Sequence, residues 1–267
     1  MLAIKRAQGA GQRWISALKN YLARFCRAMP ATWREVTPDL VAGHLARIDG
    51  SRHRNNTLAA IRQFAGYCRA RGWLLADPVA GFLRQRLAAA DVTAYTPAEV
   101  RSILEAASPR SRPLLAMVAF CGVRLAETVR LAARDVDLER RRITIAASKA
   151  KTRSRRICPV PDNALEWIGQ GLSTILALDG PLWTSPPRGI DWDMREAVRR
   201  SGVQSRQNGL RHAFLSYRLA TTQSEAKTAL EAGTSPAMLW RNYRDLVAPE
   251  AAAEFWSIVP GPAQIDQ

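Results

Sequence analysis

Apolar residues recur at steps of three and four between residues 11 and 29, where Trp14, Leu18, Leu22 and Phe25 share one side of a helix. A second, short helix starts after Thr37-Pro38-Asp39, with threonine as cap and proline in the first turn. The third runs from Ser51 to Trp73. Its Leu58, Ile61, Ala65 and Cys68 form an apolar stripe, while Asn55, Arg62 and Arg69 recur every seven residues on another face. Asp77-Pro78 ends this helical unit. Residues Leu87 to Tyr95 carry little periodicity, as expected of a linker. Thr96-Pro97-Ala98-Glu99 then opens a second domain: the threonine caps, the proline sits first in the helix, and the carboxylate stands three residues after the cap.

Leu114 to Leu131 is an apolar helix interrupted by Gly122 and Arg124. Arg142 to Ala147 and Arg155 to Val160 are β-rich runs around a basic turn, Ser148 to Ser154, which predicts a hairpin. Asn163 to Leu178 reads as a helix. So do the stretch after Asn208 and the one after Ser235-Pro236, where Leu239, Tyr243 and Leu246 fall on one face. A short apolar helix, Pro249 to Val259, closes the pattern. The expected fold is mainly α with a small β-hairpin or sheet, divided into a helical domain over residues 1–92 and an α+β domain over residues 93–267.

Charge sharpens this picture. The chain has 39 Lys+Arg against 23 Asp+Glu, a net +16, and 34 of the cations are arginine. Guanidinium suits paired contacts with phosphate oxygens. The first 92 residues hold 15 Lys+Arg against 5 Asp+Glu, so +10 of the excess lies on the small helical domain, as expected of an electrostatic footprint on a duplex. A helix that buries one side and offers Asn55, Arg62 and Arg69 on the other has the form of an element laid in a DNA groove, or of a solvated face.

No apolar run is long enough to span a bilayer and no secretion signal opens the chain, so a cytoplasmic, nucleoid-associated protein without a membrane partner is expected. Four scattered cysteines without a CxxC pair and three scattered histidines argue against zinc and disulfides and for buried free thiols. A glycine-rich phosphate loop is absent, so no nucleotide hydrolysis and no cofactor is expected.

The candidate chemistry lies in two stretches. In Gly122-Val123-Arg124-Leu125-Ala126-Glu127, an arginine inside an apolar helix demands a partner, and Glu127 serves either as a plain ion pair or as the holder of an arginine aimed at an anion. Far downstream stand Asn208-Gly209-Leu210-Arg211-His212, Gly233-Thr234 and Arg241-Asn242-Tyr243. Gly-x-Arg-x-x-Glu, followed by Leu131, Asp135 and Asp137, and an arginine, a turn and a tyrosine in that order, resemble the tyrosine recombinases of the phage-integrase type. Tyr243 stands nine residues after Thr234, the spacing found in that family.

The resemblance implies a core-binding, SAM-like helical domain followed by a tyrosine-recombinase catalytic domain, the two enclosing double-stranded DNA, with no extra arm-binding domain before residue 11. Arg124 and Arg211 would clamp the scissile phosphate, Lys151 would protonate the leaving 5′ oxygen, and Tyr243 would form a 3′-phosphotyrosyl link, without metal or ATP. Asn208 and Thr234 replace the usual histidines. Neither exchanges protons near neutral pH, so both would only orient the phosphate. Asn208, three residues before Arg211, would reach the same side of one helix. His212 points elsewhere and reads as structural. DNA contacts would come from Arg52, Arg54, Asn55, Arg62, Arg69, Lys149 and Arg153. The segment 249–259 would dock on a neighbouring copy in a homotetramer on DNA, or pack on its own domain. The competing expectation is a DNA-binding protein that keeps this fold without catalysis.

Overall fold

The computed structural model describes residues 1–29, 32–87, 92–150, 154–177, 180–243 and 247–261. Internal contacts divide the chain into two compact units, Met1–Ala90 and Asp91–Gln267.

The first unit holds α1 (Leu2–Ala7), α2 (Gln12–Arg27), α3 (Pro38–Ala46) and α4 (Ser51–Ala70). Thr37 caps α3 as expected, its Oγ1 accepting from the Leu40 N–H at 3.4 Å. On α2 the buried stripe is Ile15, Leu18, Leu22 and Phe25, and Trp14 is 41% exposed. The expected stripe was displaced at its start because Ile15 continues the line of Leu18 and Leu22, whereas Trp14 lies on its edge. Leu58, Ile61, Ala65 and Cys68 of α4 are buried in the expected places.

The other face of α4 meets the chain that follows it. Asn55 Nδ2 donates to the Gln85 carbonyl and its Oδ1 accepts from the Gln85 N–H, both at 2.8 Å. Arg62 donates to the Phe82 carbonyl, and Arg69 lies 3.5 Å from Asp77. The chain's own return segment, residues 77–85, thus meets all three residues of the stripe, with Arg69 still exposed. Arg54 is likewise engaged, donating to the carbonyls of Leu45 and Ile48 at 2.8 and 2.9 Å and so closing the end of α3. Arg52 is exposed.

The second unit begins with α5 (Pro97–Ala106), whose Thr96–Glu99 capping box is complete at 3.2 and 2.8 Å. Helix α6 (Arg112–Phe120) is buried from Pro113 onward and packs against α8 (Asp162–Ala177) and α10 (Gly209–Thr222), forming the centre of the core. After α6 come a break, the one-turn α7 (Leu125–Thr128) and an antiparallel sheet of β1 (Val136–Asp137), β2 (Arg142–Ile145) and β3 (Arg156–Pro159) in that order. The β2–β3 hairpin matches expectation. β1 was not foreseen, since two residues carry no readable alternation. The remaining helices are α9 (Pro187–Ser201), α11 (Glu225–Ala232), α12 (Pro236–Tyr243) and α13 (Pro249–Trp256).

Helix α13 packs on its own unit. Phe255 is fully buried, stacked on Tyr217 at 4.1 Å and leaning on Phe120 at 5.2 Å. Trp167 Nε1 ties the chain beyond it by donating to the Ile258 carbonyl at 3.1 Å. Of the two places open to this segment, the single chain uses its own core, where an apolar helix hides its aromatic face without a partner. Cys68, Cys121 and Cys158 are buried thiols, but Cys26, expected with them, is exposed. Among the described residues no helix is long and apolar enough to cross a membrane.

Candidate active site

The site begins at the break after α6. Gly122 has φ +66° and a β-carbon there would enter the Phe214 ring, so only glycine allows this turn against α10. The turn places Arg124 at the head of α7, where its main-chain N–H and its guanidinium donate to the two oxygens of Glu127 at 3.1 and 3.0 Å. Arg124 Nη2 also donates to the Gly233 carbonyl. Arg211, on α10, gives Nη1 to the Gly122 carbonyl and Nη2 to the Ala232 carbonyl at 2.7 Å. Two arginines distant in sequence thus end on adjacent carbonyls of one turn, Ala232-Gly233.

A third arginine supports them. Arg156, on β3 and 5% exposed, donates to both oxygens of Glu127 and through Nε to the Glu231 carbonyl at 3.2 Å. Gly233 has φ +64°, and a β-carbon there would come within 2.9 Å of Arg156 Cδ. Glu231 in turn holds Arg218 through two 2.8 Å bonds. Burial pushes the Glu127 carboxyl up, but the hydrogen bonds and charge of Arg156, with those of Arg124, outweigh it and bring it down to about 2. Burial and the neighbouring charges of Arg124 and Arg156 lower Arg211 to about 10, so it stays cationic at neutral pH. Among the described residues, Arg124, Arg156 and Arg211 cluster about the Glu127 carboxylate while Glu231 is paired with Arg218, which leaves an excess of positive charge that suits an anion.

Tyr243 closes α12. It is 3% exposed and lies in an apolar cluster with Phe214, Leu215, Ala229, Ala232 and Leu239. Its hydroxyl meets Nδ1 of His212, the rings 5.6 Å apart. Burial raises the phenol to about 12, with the Arg211 charge pulling the other way. Leu246, expected on the same face, lies outside the described residues.

With this geometry in place, residues 94–244 match the phage integrase family. The chain belongs to the phage integrase family. It is 28% identical over 165 residues to "Tyrosine recombinase XerC" of Roseiflexus castenholzii, covering 56% of this chain and 52% of that protein. It is 30% identical over 165 residues to "Putative integrase/recombinase y4rD" of Sinorhizobium fredii, covering 55% of each. The matches thus span about half the length of these relatives. Among solved structures, a lambda integrase (75-356) dimer bound to a COC′ core site has the same fold, with TM-score 0.73, 16% identity and coverage of 92% of this chain and 93% of that one.

The phage integrase match encloses Arg124, Arg211, Thr234 and Tyr243, and leaves α13 outside. Thr234 is half-buried directly after the Gly233 turn, its N–H bonded to the Ala229 carbonyl at 3.0 Å. Asn208 is exposed with φ 57° and makes no capping bond with its side chain. It stands at the N-cap of α10 in a left-handed conformation, its carbonyl accepting from the His212 N–H at 2.9 Å. Lys149 is paired with Asp135, and Lys151 and Arg153 lie outside the described residues.

Sequence reasoning missed His212 and Arg156 as parts of this site. Leu210-Arg211-His212 gives no hint that α12 will lay its terminal tyrosine against the imidazole. That contact is made only when α10 and α12 share a core. Arg156 carried a signal: an arginine at an inward-facing position of a strand requires a buried carboxylate.

Proposed function

We propose that this chain is a site-specific recombinase that cuts and rejoins double-stranded DNA, storing each break as a 3′-phosphotyrosyl link to Tyr243. The observation that carries this reading is the convergence of Arg124 and Arg211 on the Ala232-Gly233 turn, one helix before Tyr243. Each guanidinium has five donors in a planar fork, so those not given to main-chain carbonyls or, from Arg124, to Glu127 are left for non-bridging phosphate oxygens and for the charge that develops in the transition state. Tyr243 attacks phosphorus, Lys151 gives a proton to the leaving 5′ oxygen, and Asn208 and Thr234 orient the phosphate. Rejoining runs the same steps backward.

The duplex is held by the basic first unit, where Arg52 and Arg69 are exposed while Arg54, Asn55 and Arg62 are half-buried beside them. The protein works in the cytoplasm on nucleoid DNA as a homotetramer. The dimeric state of the lambda integrase complex supports assembly on DNA. With Phe255 buried in its own unit, contact with a neighbour falls to the exposed side of α13, Glu250, Ala253 and Glu254, and to Val259 beyond it.

A second reading, a protein that binds duplex DNA and does not cut it, is favoured by the burial of Tyr243 and the exposed Asn208. A duplex nicked beside the cleavage position, mapped on DNA flanking this protein's own gene, separates the two. The cutting reading requires a covalent DNA adduct with wild type and none with Tyr243→Phe. A gel shift without any adduct would establish the binding-only reading.

A further inference from the structure

We infer that His212 is the base that takes the proton of Tyr243 as the phenolic oxygen attacks phosphorus, an inference that rests on the cutting reading above. The contact is direct. Tyr243 Oη meets His212 Nδ1, so the imidazole touches the reacting atom itself. Of the three histidines in the chain, His212 is the one that belongs to the second unit. Asn208 and Thr234 cannot exchange protons, and Arg211, whose charge acts on the phenol, has no lone pair to accept one.

The electrostatics agree with this assignment. Burial, then the adjacent Arg211 charge, lower the His212 pKa, so the ring is neutral at neutral pH and has a lone pair to offer. With hydrogen on Nε2, Nδ1 accepts from the phenol. A phenol raised to about 12 ionises too seldom to act unaided, which makes a touching base valuable. The charged and titratable groups around the imidazole are Tyr243 from α12 and Arg211 on its own helix, with Arg124, Arg156 and Glu127 behind Arg211. All but Tyr243 and Glu127 are cationic. An imidazolium formed there without an anion would be repelled, and a bound phosphate reverses the balance, which confines proton transfer to the DNA-bound state.

The step balances as follows. The Tyr243 Oη–P bond forms and the P–O5′ bond breaks. The phenolic proton passes to His212 Nδ1, and the 5′ oxygen takes its proton from Lys151. On rejoining, imidazolium returns the proton to the tyrosine oxygen.

The test uses two nicked duplexes built on the cleavage position mapped above, one ordinary and one with sulfur replacing the bridging 5′ oxygen. The sulfur leaves without an acid, so only the attacking side is read. His212→Gln is expected to slow adduct formation about a hundredfold or more on both substrates and to remove the acid limb of the pH–rate profile, while duplex binding and cooperative unfolding are kept. His212→Asn provides a second variant of different size should the first not fold. Lys151→Ala is expected to fail on the ordinary substrate and recover on the sulfur one. Adduct formation by His212→Gln within threefold of wild type, or faster than wild type, overturns the base, the latter making His212 a restraint on Tyr243. Recovery of His212→Gln by sulfur also overturns it, since that would place His212 on the leaving side. A wild-type chain that forms no adduct overturns the base and the cutting reading together.

Discussion

Arg156 reaches Glu127 from β3 and donates to both carboxylate oxygens, with the two side chains 3% and 2% exposed. The same carboxylate holds Arg124 at 3.0 Å, so one buried group positions a candidate phosphate ligand and neutralises the arginine beneath it. Glu127→Gln keeps the shape and removes the charge, which leaves Arg156 as an uncompensated buried cation. The expected loss is about 3–5 kcal/mol, measured by urea unfolding, and any folded fraction should bind duplex while cutting poorly.

The same carboxylate makes stability fall in acid. Its folded value of about 2 lies below its ordinary 4.5, so as pH falls the unfolded chain takes the proton first. Its contribution is complete above about pH 4.5 and disappears as pH approaches about 2. His212 acts in the same direction at higher pH. Its lowered value means that the unfolded chain protonates first below 6.5, so stability declines from there downward. Melting temperatures from pH 8 to 3 should show both phases in wild type. His212→Gln should reduce the upper phase, leaving the part that His44 contributes, and Glu127→Gln should reduce the lower one.

Gly122→Ala places a methyl group against the Phe214 ring in a left-handed backbone position. Backbone strain and ring displacement together should cost about 3 kcal/mol in chemical denaturation. Because the Gly122 carbonyl receives Arg211, cutting should fall further than the stability loss explains.

In the first unit, Arg52 and Asn55 stand three residues apart on α4, within one turn, but differ in role. Asn55→Ala removes both bonds to Gln85 and should destabilise that unit by about 1–2 kcal/mol, leaving the salt dependence of DNA binding unchanged. Arg52→Ala should leave unfolding unchanged and reduce the slope of log affinity against log salt by about one. Titrations at several salt concentrations, alongside thermal melts, check both.

Phe255→Ala opens a cavity between Phe120 and Tyr217. The isolated chain should lose about 3–5 kcal/mol in urea unfolding. A helix held only by a neighbouring copy would show almost no change.

Features governed by short range were legible. Thr37 and Thr96 announce their helices because a cap, a proline and a carboxylate act within one turn, and the α4 stripe declares its buried face by period alone. What the Asn55, Arg62 and Arg69 stripe meets was not legible, for the complementary reason. Polar periodicity says that a face accepts polar company, and the return segment 77–85 offers that company as readily as a nucleic acid does. Spacing alone did not show that Asn208 caps α10 with a left-handed backbone instead of lying inside the helix.

From the sequence alone come the helical class, the basic excess on the first unit, and the ordered Arg124, Arg211 and Tyr243, since each is written in local spacing or in composition. Only folding brought Arg124 and Arg211 to one turn, set Arg156 beneath them, buried Tyr243 and laid its hydroxyl on His212. Those relations join residues up to 109 positions apart. They exist only once helices share a core that expels water, which leaves each buried charge or hydroxyl to find a partner on whichever element has become its neighbour.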